Sequence, residues 1–410
     1  MPKKICILTQ SHLCRNPRVV KEANTLSKAG FDVSILTTFT YPDLLEEDLK
    51  LIDNKRIAYK GVINMIPGQA SDWYRLKERL KRRVAGEFIS RFGIENKYAL
   101  GYDYHANLRA AVAERADLYT CHQEMSTIIG VRLLRKGFNV AFDFEDWYSH
   151  DLLPEANKSR PIRLLEKNEK FALNNAGLTY TTSESLASAL AVFAGSERPK
   201  VLHNVFPWAE RSCMDGLFKD RTDTDRPSIH WYSQTIGPGR GLEFLVEALA
   251  EIETPLDLHL RGNFFGSFKD ELINLFPTEK GHRLYFHPLV PHLELLSRIA
   301  EHDIGLAIEE YVPDSRNLTI TNKILQYLLA GIAVVATDTS GQKEVASLAG
   351  NAVLLFTNKD KKSFVTTINQ LLKDKLTLVE AKKDALRLAE EMFCWERLEQ
   401  NLVNWVTKVI

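Results

Sequence analysis

Cysteine is scarce in this chain and its spacing suits no framework. The 410 residues hold five, Cys6, Cys14, Cys121, Cys213 and Cys394, an odd number with no C-x-x-C pair. Neither a disulfide scaffold nor a zinc site is expected, and a reducing compartment fits. Excess charge is missing as well: Lys+Arg and Asp+Glu are both 53, a net charge of zero. A protein that grips nucleic acid by neutralising phosphates carries a basic excess, so no nucleic-acid partner is expected. No apolar run approaches the roughly 18 residues of a membrane span. The run after Met1-Pro2-Lys3-Lys4 is too short for the core of a signal peptide. The expectation is a cytoplasmic protein, with peripheral contact at the inner face of a membrane left open. Low-complexity tracts and short-period repeats are also absent.

What is present is a rhythm. Short apolar runs alternate with amphipathic stretches of helical length. Strands are expected at 5–9, 32–37, 117–121, 139–144, 177–181 and 200–203. They resume at 228–233, 256–260, 283–286, 303–308, 332–336 and 352–355. The first helix, 16–29, ends at Gly30, a residue that commonly closes helices. This is the βαβ pattern of a parallel sheet covered on both faces. Residues 205–228 interrupt it with a polar, charged stretch bounded by prolines. The organisation expected is α/β: one Rossmann-like domain at 1–207, a linker at 208–227 and a second such domain at 228–390. A C-terminal helix follows at 391–410, with Trp395 and Trp405 as packing anchors. Two such domains facing a cleft bind ligands beyond the carboxyl ends of their strands.

The loop after the first strand tests for a dinucleotide. It reads Thr9-Gln10-Ser11-His12-Leu13-Cys14-Arg15-Asn16-Pro17-Arg18 and contains no glycine. A G-x-G-x-x-G fingerprint is therefore missing, which argues against NAD or FAD. Ser11, His12, Arg15 and Arg18 at a helix start suit an anionic or hydroxyl-rich ligand, or else a solvated surface loop. In the second half, Ser233-Gln234-Thr235-Ile236-Gly237-Pro238-Gly239-Arg240-Gly241 joins the first strand to the first helix. Unpaired N–H groups at a helix start suit phosphate. Gly237 and Gly239 let backbone approach, and Arg240 can pair bidentately with a diphosphate. The competing reading is a tight turn with a surface arginine. His122, closing the run Asp117-Leu-Tyr-Thr-Cys-His, lies at a strand's carboxyl end.

Asn322-Lys323-Ile-Leu-Gln326-Tyr-Leu-Leu-Ala-Gly331, then Ile332-Ala-Val-Val-Ala-Thr-Asp-Thr-Ser-Gly341, resembles the donor-binding helix, strand and glycine turn of retaining glycosyltransferases of the GT-B fold, family 4-like (glycosyl transferases group 1). The resemblance spans nearly the whole chain and is strongest in 228–345. It implies a nucleoside diphosphate sugar, UDP- or GDP-linked, as donor, no required cofactor and no metal. It also implies C-terminal helices that pack back on the N-terminal domain. Arg240 and Lys323 would face the diphosphate, with Asn317, Thr319 and Thr321 presenting backbone N–H groups. Gln326 stands where the family holds the ribose with an acid, and Leu318 where it places a Glu on the sugar. Glu309 or Glu310 would replace that acid, Glu310 being preferred. Gln234 takes the place of the first phosphate cation. His122 would hydrogen-bond the donor sugar. Asp143, Glu145 and Asp146 would join Ser11, His12, Arg15 and Arg18 on the acceptor side. The D-x-D-like pairs at Asp143-x-Glu145 and Asp223-x-Asp225 are discounted as metal sites.

The activity implied is transfer of a sugar to a hydroxyl acceptor, with retention, in surface polysaccharide or glycolipid assembly. The acceptor expected is a glycan or lipid-linked. The altered acidic positions keep two alternatives: a non-catalytic GT-B module that binds glycan or nucleotide, and a GT-B-like sugar-nucleotide epimerase. One further feature is the basic stretch 71–89. Leu76, Leu80, Val84 and Phe88 recur there at helical spacing. It reads as a helix lying on anionic lipid, or as a surface helix whose stripe packs on its own domain.

Overall fold

The computed structural model describes residues 2–52 and 54–410. They form two compact units, each built on its own parallel sheet. The first unit runs to Leu202 and takes in Pro313–Ser315 and Leu398–Ile410. Its strands are β1 (Lys4–Leu8), β2 (Asp32–Phe39), β3 (Ile57–Asn64), β4 (Leu118–His122), β5 (Val140–Phe144), β6 (Leu178–Thr181) and β7 (Lys200–Val201). They lie in the order β3-β2-β1-β4-β5-β6-β7. β4 and β5 are buried along their whole length. Helices cover both faces of such a strand, so its apolar residues do not alternate with solvent-facing ones.

The second unit comprises His203–Val312 and Arg316–Arg397. Its strands are β8 (Ser228–Ile236), β9 (Asp257–Phe264), β10 (Arg283–His287), β11 (Ile304–Ala307), β12 (Ala333–Thr337) and β13 (Val353–Phe356). Their order is β10-β9-β8-β11-β12-β13. Ile229, Trp231, Leu245, Leu258, Leu306, Val335 and Phe364 are among the buried residues of its core. In both sheets the order reverses beside the first strand, between β1 and β4 and between β8 and β11. Crossover helices leave in opposite directions there and open a crevice at the carboxyl ends of the strands.

Two features differ from the sequence reading. β3 was not expected; it is a half-exposed edge strand whose sequence, IAYKGVIN, mixes lysine, glycine and asparagine with its apolar residues. Residues 208–227 are not a free linker but part of the second unit. Arg221 is buried there, donating to the Glu301 carbonyl at 2.9 Å and pairing with Asp303 at 2.8 Å. The Glu301 carboxylate in turn accepts the backbone N–H groups of Lys219, Asp220 and Arg221 at 2.9, 2.7 and 3.0 Å. The polar composition that reads as a connector is instead the means by which this segment is held. The final helix, Trp395–Val409, belongs from Leu398 onward to the first unit, as expected. Trp395 is buried with the second unit, whereas Glu399 accepts from Thr25 at 3.0 Å and Trp405 stands 6.4 Å from the Tyr180 ring in the first.

Candidate functional site

In the second unit the loop after β8 leads into the helix Leu242–Leu249, which starts at Gly241 with no side-chain cap. Gly241 has φ 77°, and a Cβ there would come within 2.6 Å of Ile308 Cγ2. The glycine lets the loop sit directly on the end of β11, where Glu309 and Glu310 follow. Arg240 and Gln234 are exposed, and Arg240 forms no ion pair among the described residues. Gly237 and Gly239 shape the loop, and the Gly239 N–H donates to Glu243 at 3.3 Å.

The helix Asn322–Ala330 likewise begins without a side-chain cap, because Thr321 turns its hydroxyl elsewhere, donating to Glu309 Oε1 at 3.2 Å. Lys323 Nζ reaches the same oxygen at 3.0 Å, and Arg316 lies 3.9 Å from the other. Burial alone would raise the Glu309 carboxyl; Lys323, Thr321 and Arg316 outweigh it and hold it below the ordinary carboxylate range. Glu310 points away, to Asn358 at 3.1 Å and Lys359 at 3.0 Å. Of the two acids, Glu309 is therefore the one that meets the helix carrying Lys323. Gln326 is buried on that helix and accepts from the Tyr232 hydroxyl of β8. Asn317 Oδ1 accepts from the Ser340 N–H at 3.1 Å. Gly341 lies so close to the Thr319 carbonyl that a Cβ would collide with it. The loop 317–321 is thus pinned to the start of the helix Ser340–Ala349. Chemically, this edge offers two uncapped helix starts, an open arginine and a lysine shared with one carboxylate. That combination suits an anion with more than one charged oxygen.

The first unit corrects several expectations. His122 does not line an open site: its ring is wholly buried and each nitrogen faces carboxylate. Nε2 is 3.2 Å from Glu22, and Nδ1 is 3.2 Å from Asp143 and 2.8 Å from Glu145. Arg18 is buried too and grips Asp143 with Nε and, at 3.0 Å, with Nη2, while Nη1 donates to the Leu202 carbonyl at 2.8 Å. Tyr180 donates to Glu22 at 2.9 Å. Burial alone would lower the His122 pKa; Glu22, Asp143 and Glu145 outweigh it and hold it well above the ordinary value. Burial likewise opposes ionisation of Asp143, yet Arg18 and His122 hold it at about 2. Glu22, His122 and Asp143 each bring a ligand atom within 4.8 Å of the others. The cation on Asp143, however, is Arg18. His12 is also internal, with Nδ1 2.6 Å from Asp48 and Nε2 accepting the Thr40 N–H at 2.9 Å. Arg15 is exposed. Arg18 and Asp143 therefore build the unit, because an unpaired buried charge is costly and each sits beside an opposite one, while His12 is held there by a hydrogen bond at each ring nitrogen.

Ser11, Glu145 and Asp146 do face open space. They line a cavity of about 570 Å³ at the carboxyl ends of β1, β2, β4 and β5, together with Gln10, Tyr102, Gln123, Arg82 and Arg160. Gln123, missed by the sequence reading, organises its wall. Its Oε1 accepts the Gln10 N–H at 2.8 Å, its Nε2 donates to Ser11 Oγ at 2.7 Å, and its own N–H donates to the Tyr148 hydroxyl at 3.0 Å. Its φ of 69° is a conformation that a non-glycine residue adopts only when its surroundings impose it. Arg160 is paired with Glu124. Burial, with Asp151, Glu145 and Asp143 nearby, pushes Asp146 up to about 8. The cavity is a polar chamber of amides, hydroxyls and carboxyls, suited to a ligand rich in hydroxyl groups. Gln123 follows β4 directly and Gln10 lies two residues past β1, and those positions were the signal for them.

Over its whole length the chain has the architecture of solved sugar-nucleotide enzymes. Sucrose-phosphate synthase from Thermosynechococcus elongatus superposes with a TM-score of 0.69 at 15% identity, covering 99% of both chains. Anabaena Alr3699/HepE, solved in complex with UDP-glucose, gives 0.62 at 16% identity over 99% of both. An E. coli structure described as trehalose-6-phosphate bound with UDP-2-fluoro glucose gives 0.66 at 10% identity over 100% of both. Residues 227–374 match the model of the family described as Glycosyl transferases group 1. The fold is GT-B, and the family match falls on its second unit. No curated protein is significantly similar to the chain in sequence. The matched residues include both uncapped helix starts, Arg240, Glu309 and Lys323. The cavity of the first unit lies outside the match.

Proposed function

We propose that this GT-B chain is a retaining glycosyltransferase. It moves a sugar from a nucleoside diphosphate sugar to a hydroxyl of a glycan or lipid-linked acceptor, in surface polysaccharide or glycolipid assembly. The observation that carries the reading is the coincidence of the group 1 match with the edge that gathers Arg240, Lys323 and two uncapped helix starts. In this reading Arg240 and the start of the helix Leu242–Leu249 take one phosphate. Lys323 and the start of the helix Asn322–Ala330 take the other. Glu309, kept ionised by Lys323, accepts hydrogen bonds from the donor sugar. Gln326 sets the helix against β8 through Tyr232. Charge that develops on the leaving diphosphate is stabilised by these cations and N–H groups, with no metal. Substitution on one face through an oxocarbenium-like transition state accounts for retention. The hydroxyl acceptor occupies the cavity of Ser11, Gln123 and Asp146.

UDP-glucose is the first donor to try, because two of the structural relatives were solved with it or its fluoro analogue. Thermal shifts with UDP, GDP and ADP, each with and without EDTA, test donor binding. Stabilisation by one diphosphate, unaffected by chelator, is expected. Arg240→Ala should weaken that binding about ten- to a hundredfold, the loss of a charge-assisted bond of roughly 1.5–3 kcal/mol. Unchanged affinity in the folded variant would remove Arg240 from the site. Binding without transfer to any acceptor would turn the reading toward the non-catalytic module.

A further inference from the structure

The helix Asp72–Phe92 presents to solvent what a packed helix hides. Leu76, Leu80, Val84, Phe88 and Phe92 recur at every fourth residue, and each is exposed, by 42% to 67%. Trp73, near the head of the same stripe, is 74% exposed. A surface helix normally turns such a stripe to the core. This one holds to its unit by other residues. Ala85 and Ile89 pack with Ala99 and Tyr98, and Glu78 accepts the Asp103 N–H at 2.8 Å. Single exposed apolar residues need no explanation, but an unbroken row over five turns does.

The charges beside the row point to its occupant. The helix carries seven Lys and Arg against three carboxylates. All three carboxylates are already neutralised locally: Asp72 by Arg75 at 2.6 Å, Glu78 by Lys81 at 3.7 Å and Glu87 by Arg91 at 2.9 Å. Lys77, Arg79 and Arg83 are exposed and form no ion pair among the described residues. In a chain of zero net charge this excess is local. A second copy of the chain would bring the same unpaired cations against it, and like charges in contact are costly. An anionic bilayer supplies both things the face lacks, an apolar interior for the row and phosphates for the cations.

We propose that the helix Asp72–Phe92 is a docking face for an anionic lipid surface. The row Leu76–Phe92 enters the boundary between headgroups and acyl chains, and Lys77, Arg79 and Arg83 meet lipid phosphates. The helix lies along the surface, since no helix of the described residues is long and apolar enough to cross a membrane. This goes beyond the donor reading and is independent of it.

Co-sedimentation with vesicles tests it. The full chain should pellet with vesicles of phosphatidylcholine and phosphatidylglycerol in equal parts, remain in solution with phosphatidylcholine alone, and be released by salt. The pair Leu80→Glu and Phe88→Glu should abolish pelleting. The triple Lys77→Ala, Arg79→Ala and Arg83→Ala should lower partition about a hundredfold. These side chains are exposed, so both variants should keep the wild-type melting temperature and UDP response. No pelleting of the wild type with anionic vesicles overturns the proposal, and so does equal pelleting of the variants. A wild-type dimer that Leu80→Glu and Phe88→Glu splits overturns it as well and gives the row to a second copy. A chain that pellets but answers no nucleoside diphosphate refutes only the donor reading.

Discussion

The two units bury histidine in opposite charge states. In the first, His122 sits among Glu22, Asp143 and Glu145 and is held protonated. In the second, His230 stacks on His302 with centroids 4.6 Å apart, and His259 lies 4.5 Å from His302. His259 Nδ1 meets His287 Nε2 at 2.9 Å. Burial lowers His230 and His302 well below the ordinary value, with Arg261 and the neighbouring rings adding to it for His230 and the other histidines for His302. Burial, then His287, takes His259 to about 3. Burial penalises the charged imidazole in both places; the partners decide the outcome. Carboxylates win in the first unit, whereas in the second burial and nearby cations hold His230, His259 and His302 below the ordinary value. None of these histidines lines the cavity of the first unit, so a buried histidine at a strand end is no pointer to chemistry by itself.

The comparison can be broken most sharply at Asp143. Asp143→Ala leaves Arg18 buried without its main counter-charge and should cost about 3–5 kcal/mol of stability. Chemical denaturation should show the loss in the first unit, with nucleotide binding by the folded protein unchanged. A cost below about 1 kcal/mol would mean that the cluster tolerates an unpaired arginine.

pH should separate the units next. In the second, the folded pKa values lie below the unfolded value, so below about 6.5 the unfolded chain takes up protons that the folded unit refuses. Stability is therefore complete above that pH and falls toward 3; His259 alone should cost about 2 kcal/mol at pH 5. His122 has the opposite sign. Its folded pKa is raised, so its contribution is complete below the unfolded value and is lost as pH rises through the folded one. Hydrogen exchange read separately for the two sheets should show the second loosening first in acid. His259→Gln should flatten that acid slope, and an unchanged slope would place the titration elsewhere. The smallest effect is expected from Ser228→Ala. Ser228 Oγ meets His302 Nδ1 at 2.6 Å, and its loss should cost about 1 kcal/mol at pH 7.

Much of the fold was legible because buried parallel strands write continuous apolar runs. Ile5-Cys-Ile-Leu8 and Ile332-Ala-Val-Val-Ala336 could hardly be read otherwise. β3 escaped because an edge strand need not be apolar on either face. The group 1 helix was legible through Lys323 and Gly331, and the loop through Arg240. The distinction between Glu309 and Glu310 was not, since adjacent residues after a strand diverge and only their partners tell them apart. Gln123 escaped because an amide looks unremarkable until its φ and its three hydrogen bonds are seen together.

By itself, then, the sequence determined the α/β alternation, the glycine-free first loop that argues against a dinucleotide, and the basic stripe at 71–89. Those properties are written in neighbouring residues. The tertiary structure alone decided which polar residues face inward. His122 ends one buried strand and Asp146 lies just past the next, yet one closes an ion cluster and the other opens on a cavity. The reason is range: the partners of His122 include Glu22, those of Asp143 include Arg18, and His230 stacks on His302. Each pairing joins residues far apart in the chain, and charge follows the contact made in space. The stripe of the helix Asp72–Phe92 obeys the same rule. Its pattern allowed packing or exposure, and only the fold showed that nothing among the described residues of its own unit covers it.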